Sequence, residues 1–143
     1  MEEHFKKLEN MYLNAAVQKV YKGIHLKVEE GSAFVTWKVS EAFFHAGGSL
    51  HGSVYFRMMD DSAYFAVNSL VLDEFMLTSS FQIDFLRPVQ GGTLRAEGKV
   101  VSKGSSVFLA KSDLYDERGK LVATGKGTFM KSGKALNSIN GYA

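Results

Sequence analysis

The chain has 143 residues, with 45% hydrophobic and 22% charged residues, one proline, fourteen glycines and no cysteine. That length supports one domain with its own core, and the missing cysteines exclude a disulfide framework, a thiolate metal site and a thiol nucleophile. A formal charge of +2 with no dense basic run does not argue for nucleic acid, and no run approaches the ~20 apolar residues of a membrane span.

The start, Met1 to Lys7, has no apolar signal core, so a cytoplasmic location is expected. Residues 2–19, continuing to Val20, carry Phe5, Leu8, Tyr12, Ala15, Ala16 and Val20 at helical spacing between charges, which predicts an amphipathic helix closed by Gly23. Residues 24–29 and 33–39 read as two strands joined by a turn at Glu30 and Gly31. A glycine- and histidine-bearing loop over 40–52 leads into residues 53–71. These are apolar nearly all round, as in a buried helix, yet they contain Asp60 and Asp61. An acid there costs free energy unless it is paired or functional.

Beyond the helix every signal is β. Met76 to Leu86 reads as one long strand, with Ser79, Phe81, Ile83 and Phe85 on one face and Thr78, Ser80, Gln82 and Asp84 on the other. Pro88 and Gly91-Gly92 break it. Thr93–Ser102, Val107–Tyr115 and Leu121–Met130 follow, separated by turns at Lys103–Ser105 and Asp116–Gly119, so an antiparallel meander is expected. Residues 132–143 are small and polar and read as a flexible tail to a single domain over 1–131. The fold class is α+β. A long helix, apolar on every side, is wrapped by a curved antiparallel sheet of five or six strands, and the leftover apolar surface and free edges favour dimerisation.

At 45–71 and 78–88 the chain resembles the hotdog-fold acyl-CoA thioesterases of the phenylacetate-degradation (PaaI-like) type. The residues that carry the resemblance are His51-Gly52, Asp60 nine positions later, Asn68-Ser69, and Ile83 to Pro88. It spans most of the domain. The family's usual His-Gly-Gly is His51-Gly52-Ser53 here, and His45 stands where the family often has asparagine. The resemblance implies a hotdog fold, hydrolysis of acyl-CoA to free acid and coenzyme A, no cofactor, and a site at a homodimer interface. There the acid of one subunit faces the His-Gly loop of the other. Tetramers would be dimers of dimers.

Thioester hydrolysis needs an activated water or an attacking carboxylate, donors for the developing oxyanion, and an apolar slot for the acyl group. Helical periodicity alone does not choose between Asp60 and Asp61; the family offset selects Asp60 as the carboxylate. Arg57, one turn earlier, is a candidate partner for Asp60, and Asp61 is read as a polar contact at the subunit interface. Gly52 and Ser53 at the helix start could present N–H donors to the carbonyl, with Ser53 as a candidate N-cap. His51 could bond the carbonyl or hold the loop. His45 could orient water, as could Thr78 early in the following strand. Coenzyme A phosphates would meet Lys103, Gly104, Ser105 and Ser106, or Arg87. Phe43, Phe44, Tyr55, Phe56, Tyr64 and Phe81 are core aromatics or the lining of an acyl pocket. A metal site among His45, His51, Asp60 and Asp61 lacks the one-turn ligand spacing. The competing readings are a hotdog hydratase or dehydratase, which would need a histidine as its acid/base at the helix, and a non-catalytic acyl-CoA-binding module.

Overall fold

A computed structural model describes residues 1–143. Helix α1 (Glu2–Leu13) and a short 3₁₀ turn (Ala16–Lys19) precede β1 (His25–Glu29) and β2 (Ser32–Lys38). The central helix α2 (Gly52–Asn68) follows, and then β3 (Glu74–Phe85), β4 (Thr93–Lys103), β5 (Val107–Tyr115) and β6 (Leu121–Ala135). The strands form one six-stranded antiparallel sheet in the order β1-β2-β4-β5-β6-β3. The meander is therefore limited to β4-β5-β6. β3, made before it, crosses over to pair with β6 at the far edge, and β4 pairs with β2. No helix is long and apolar enough to cross a membrane.

The sheet curves around α2, and one row of its concave face explains how. The register aligns Val28, Ala33, Gly98, Ser112, Gly125 and Ile83 across all six strands. The middle of that row is small. A Cβ on Gly98 would lie 2.1 Å from the Ser62 carbonyl oxygen, so the helix backbone rests directly on β4. Ser62 is fully buried there, and its hydroxyl meets that of Ser112, also fully buried, at 2.7 Å. Each hydroxyl is thereby satisfied in the middle of the core. The Phe81 ring lies over Gly125 and Gly127 on β6. Larger buried side chains, among them Met58, Met59, Leu94, Leu114 and Phe129, fill the space on either side of the row.

The two sheet edges are treated differently. At β1, the buried carboxylate of Glu9 on α1 accepts the Val28 N–H at 2.8 Å, which occupies an edge donor. At β3, twelve residues long, nothing in the subunit pairs the outer side of the strand. Leu77, Phe85 and Leu86 along it are about half exposed, and Phe56 on the neighbouring turn of α2 is 43% exposed.

Residues 132–143 are not a frayed tail. β6 continues to Ala135, Leu136 is buried at 1% exposure, and Tyr142 returns to α1, where its hydroxyl lies 2.6 Å from His4 Nδ1. His4 Nε2 meets the Asn68 carbonyl at 2.8 Å, and Asn10 donates to the Ala143 carbonyl at 2.7 Å. Composition suggested a loose end because the few apolar residues here, Leu136, Ile139 and Tyr142, are spaced singly. The first helix also stops earlier than its periodicity implies, at Leu13, and α2 stops at Asn68.

Gly98→Val places a branched side chain where the Ser62 carbonyl now sits. Equilibrium denaturation should show a loss above about 3 kcal/mol, or no folded protein at all.

Candidate active site

α2 begins at Gly52, with His51 as its N-cap. His51 Nδ1 accepts the Ser53 N–H at 3.0 Å and lies 2.8 Å from the Ser53 hydroxyl. The cap is therefore His51, and Ser53 is its partner rather than the cap itself. With the Nδ1 lone pair occupied, the neutral ring carries its proton on Nε2, which is left free to donate. The Gly52 N–H has no acceptor within the subunit, as expected for the first residue of a helix. Two donors thus stand at the helix entry. A side chain at Gly52 would press on the Phe85 ring, 3.2 Å from the position of its Cβ.

His45 builds the loop before them. Its Nδ1 accepts the Gly47 N–H at 2.9 Å, its N–H bonds the Ser49 carbonyl, and its carbonyl accepts from Gly48. The ring lies over Gly47, where a Cβ would be 2.9 Å away. His45, Gly52 and Arg87 line one shallow depression with Tyr55, Phe85 and Pro88. Arg87 is exposed, and its carbonyl takes the Tyr55 hydroxyl at 2.8 Å.

Asp60 lies elsewhere. Eight residues along a helix at 1.5 Å each separate it from Gly52 by about 12 Å. Its Oδ1 accepts the Thr78 hydroxyl at 2.8 Å. The regular alternation expected for β3 would aim Thr78 away from the helix. A bulge between Thr78 and Ser80 reverses it: Thr78 pairs with Phe129, Ser80 with Thr128, and Thr78 then shares the concave face with buried Phe129. Desolvation pushes the Asp60 carboxyl up to about 6, partly opposed by the Thr78 hydrogen bond and reinforced by the charge of Asp61.

The neighbouring acid has different company. Arg57 pairs with Asp61, not Asp60, at 3.1 Å, and Tyr12 donates its hydroxyl to the same carboxylate at 2.7 Å. Within the subunit Asp61 is held in a network with Arg57 and Tyr12. Arg57 also bonds Gln18 at 2.6 Å and stacks on the Tyr21 ring at 4.1 Å. Burial raises the Asp61 carboxyl as well, while Arg57 and Tyr12 pull it back.

Asp60 and Asp61 open onto a cleft of about 910 Å³, roofed by the end of α1 and the 3₁₀ turn, with further walls from α2, the start of β3 and residues 134–140. Tyr12, Gln18 and Tyr21, absent from the residues selected by sequence, line it beside Tyr64, which was selected. Their positions depend on where the N-terminal segment docks, and no local motif marks that. Of the other selected aromatics, Tyr55 is buried, Phe43 and Phe44 are partly buried against the core, and Phe81 stacks edge-on with Phe56. The exposed Lys103–Ser106 turn stands at the Asp60 end of the sheet, because Lys103, Phe108, Phe129 and Thr78 share one register row. One subunit therefore presents two separate groups. Asp60, Thr78 and the cleft form one, with the turn at the same end; His51, Gly52, His45, Ser53 and Arg87 form the other.

Residues 47–123 match the family model of the thioesterase superfamily. The acyl-coenzyme A thioesterase PaaI of Escherichia coli is 31% identical over 134 residues, covering 93% of this chain and 92% of that one. The solved structure of E. coli PaaI, from the phenylacetic acid degradation operon, superimposes with a TM-score of 0.84 at 29% identity and covers 94% and 96% of the two chains. The thioesterase HI1161 of Haemophilus influenzae shares the fold at a TM-score of 0.77 and 21% identity, covering 89% of each chain.

The burial of Asp60 has a stability cost with a definite sign. Its carboxyl rises from 3.8 to about 6 on folding, so the folded chain holds the extra proton between those values and loses stability as pH climbs through them. Asp60→Asn keeps an acceptor for Thr78 and removes the charge. It should raise the Tm by about 5 °C at pH 8 and hardly at all at pH 4, read by thermal melts at both values.

Proposed function

The chain belongs to the thioesterase superfamily, in the hotdog-fold, PaaI-like group, and from that premise we propose that it hydrolyses acyl-CoA thioesters to carboxylic acid and coenzyme A at two sites of a homodimer. The observation that carries the arrangement is the separation along α2. The carboxylate and the free donors are about 12 Å apart within one subunit, too far to serve one carbonyl. The long unpaired β3 edge, with half-exposed Phe56, Phe85 and Leu86 around it, favours pairing with a second copy. An antiparallel two-fold pairing of that edge would direct the Asp60 end of one subunit toward the His51-Gly52 end of the other. Dimers would pair further into tetramers.

In this reading the thioester carbonyl oxygen meets the Gly52 N–H and the His51 Nε2–H of one subunit, at the positive end of α2. Asp60 of the other subunit takes a proton from water as that water attacks the carbonyl carbon. A group titrating near 6 is well matched to this role. The tetrahedral intermediate collapses, the C–S bond breaks, and the proton passes to the departing thiolate. Thr78 holds one Asp60 oxygen and leaves the other for water. Ser53 fixes the His51 tautomer, and His45 shapes the loop. The cleft beside Asp60 takes the acyl group, with Tyr64 and Phe75 among its walls. Lys103 to Ser106 and Arg87 are candidates for the phosphates of coenzyme A. The chemistry draws on side chains and water alone, and the cytoplasm is the expected location.

Thiol release from short, medium and aromatic acyl-CoAs tests the activity. Wild type should turn over, with kcat/KM rising through about pH 6 to a plateau. Asp60→Asn should lose about 10²–10⁴-fold. Thr78→Ala, which removes a hydrogen bond that favours the carboxylate, should move the acid limb upward. Turnover that survives Asp60→Asn would remove Asp60 from the reaction. The shared site has its own test. Co-expressed Asp60→Asn and His51→Ala chains should recover about a quarter of wild-type activity, since random mixing makes half the dimers mixed and each mixed dimer keeps one intact site. No recovery would place both groups of a site in one subunit.

A further inference from the structure

From Asp60 the apolar lining of the cleft runs along α2 toward the end of that helix. Tyr64 stands one turn on and Phe65 follows, while Phe75 of β3, its ring 5.7 Å from that of Tyr64, and Met11 of α1 complete the walls. Asn68, one turn beyond Tyr64, is fully buried and lies outside the cleft. At that level the last residues of the chain cross as a strap held at three points. The Leu136 N–H donates to the Asp73 carbonyl at 3.0 Å, just past α2. Tyr142 is tied through His4 to the Asn68 carbonyl. Gly141, at φ 92°, lies on the α1 backbone, where a Cβ would stand 3.3 Å from Met11 Cα. Between these anchors Ile139 packs partly buried against the core, and with Ser138 and Asn140 it lines the cleft. It is the one apolar side chain that the strap contributes there.

We propose that the C-terminal strap is the end wall of the acyl pocket and that Ile139 sets the longest acyl chain that is accepted. The inference rests on the reading that Asp60 marks the reacting carbonyl. A chain attached there and extended along α2 stays against apolar side chains until it reaches the strap, about 12 Å away at the level of Asn68. An octanoyl chain fits that run, whereas a palmitoyl chain has to fold back, leave the cleft or displace the strap. The charged groups at the side of the cleft, Arg57 and Asp61, satisfy each other, so a neutral hydrocarbon chain is the class the pocket suits. Each methylene that finds these walls should tighten binding about fourfold, and each one past the wall should add nothing. The end wall is firm because Gly141 brings the strap down onto α1 where any side chain would hold it off.

Steady-state kinetics with butanoyl-, octanoyl- and palmitoyl-CoA, the last kept below its micelle concentration, tests this on the full chain. Wild type should favour octanoyl-CoA, with kcat/KM at least about tenfold lower for palmitoyl-CoA. Ile139→Ala should raise the palmitoyl-to-octanoyl ratio about tenfold, chiefly through KM, and Ile139→Trp should lower the octanoyl-to-butanoyl ratio by a similar factor. Gly141→Val lifts the strap and leaves every side chain of the lining in place, so it should move the ratios as Ile139→Ala does. Turnover of butanoyl-CoA reports that each variant is folded. A wild type that prefers palmitoyl-CoA overturns the inference, as do variants that hydrolyse thioesters with unchanged ratios, and the hydrolase reading then stands. Calorimetry of the same acyl-CoAs with Asp60→Asn protein reads binding apart from turnover. If wild type hydrolyses nothing, binding whose length limit shifts with Ile139 sustains the end wall and overturns the hydrolase reading. Binding indifferent to length in such a protein overturns both.

Discussion

The constraint on which the fold turns is a meeting of backbones: the Ser62 carbonyl of α2 lies over Gly98 of β4, where no Cβ would fit. Everything else on the concave face is arranged around it. The small row Ala33, Gly98, Ser112 and Gly125 lets the helix sink toward the sheet, and strands on either side curve up to meet it. Lowering the helix in this way brings its flank level with β3, the edge strand, so that a side chain as short as threonine reaches Asp60. A Cβ at Gly98 would raise the helix and lengthen that contact, even though Gly98 touches nothing that could react.

Adjacent carboxylates on α2 are separated by what surrounds them. Asp61 turns inward to a cation and a phenol and acts as a fastener for the N-terminal segment. Asp60 has only a hydroxyl, and so retains an elevated affinity for protons. The division follows the roughly 100° between successive helical residues. One side faces α1 and the 3₁₀ turn; the other faces the edge strand. Arg57, one turn below Asp61, has the reach to satisfy just one of the two acids. The acid it leaves without a cation is Asp60, whose affinity for protons stays raised.

Much of this was legible in the chain. The helix around Asp60 and Asp61 is apolar over so wide an arc that burial was unavoidable, and the strand alternation over 93–130 gave three of the sheet's hairpin-linked strands. The family resemblance, through the offset from His51 to Asp60, is what favours one acid over the other where periodicity does not. What escaped was decided by long-range packing. Arg57 has acids at +3 and +4, and spacing does not say which one α1 will corner. The C-terminal residues looked loose because Leu136, Ile139 and Tyr142 are isolated among polar neighbours, and their burial depends on a groove supplied by α1. The crossover of β3 to the far edge has no local signal either, since the break at Pro88 and Gly91-Gly92 before β4 reads like a turn between neighbouring strands.

The irregularity at Ser79 has a consequence of its own. It divides β3 into two segments in opposite phase. Before it, Met76 and Thr78 point toward the helix; after it, Phe81 and Ile83 do. A single added residue is thus a change of spatial frame. Removing Ser79 would leave every other residue in the chain unaltered and every strand still paired, yet Thr78 would be read from the wrong side of the sheet. The position matters as a spacer, whatever its side chain, and a substitution scan would pass over it where a deletion would not.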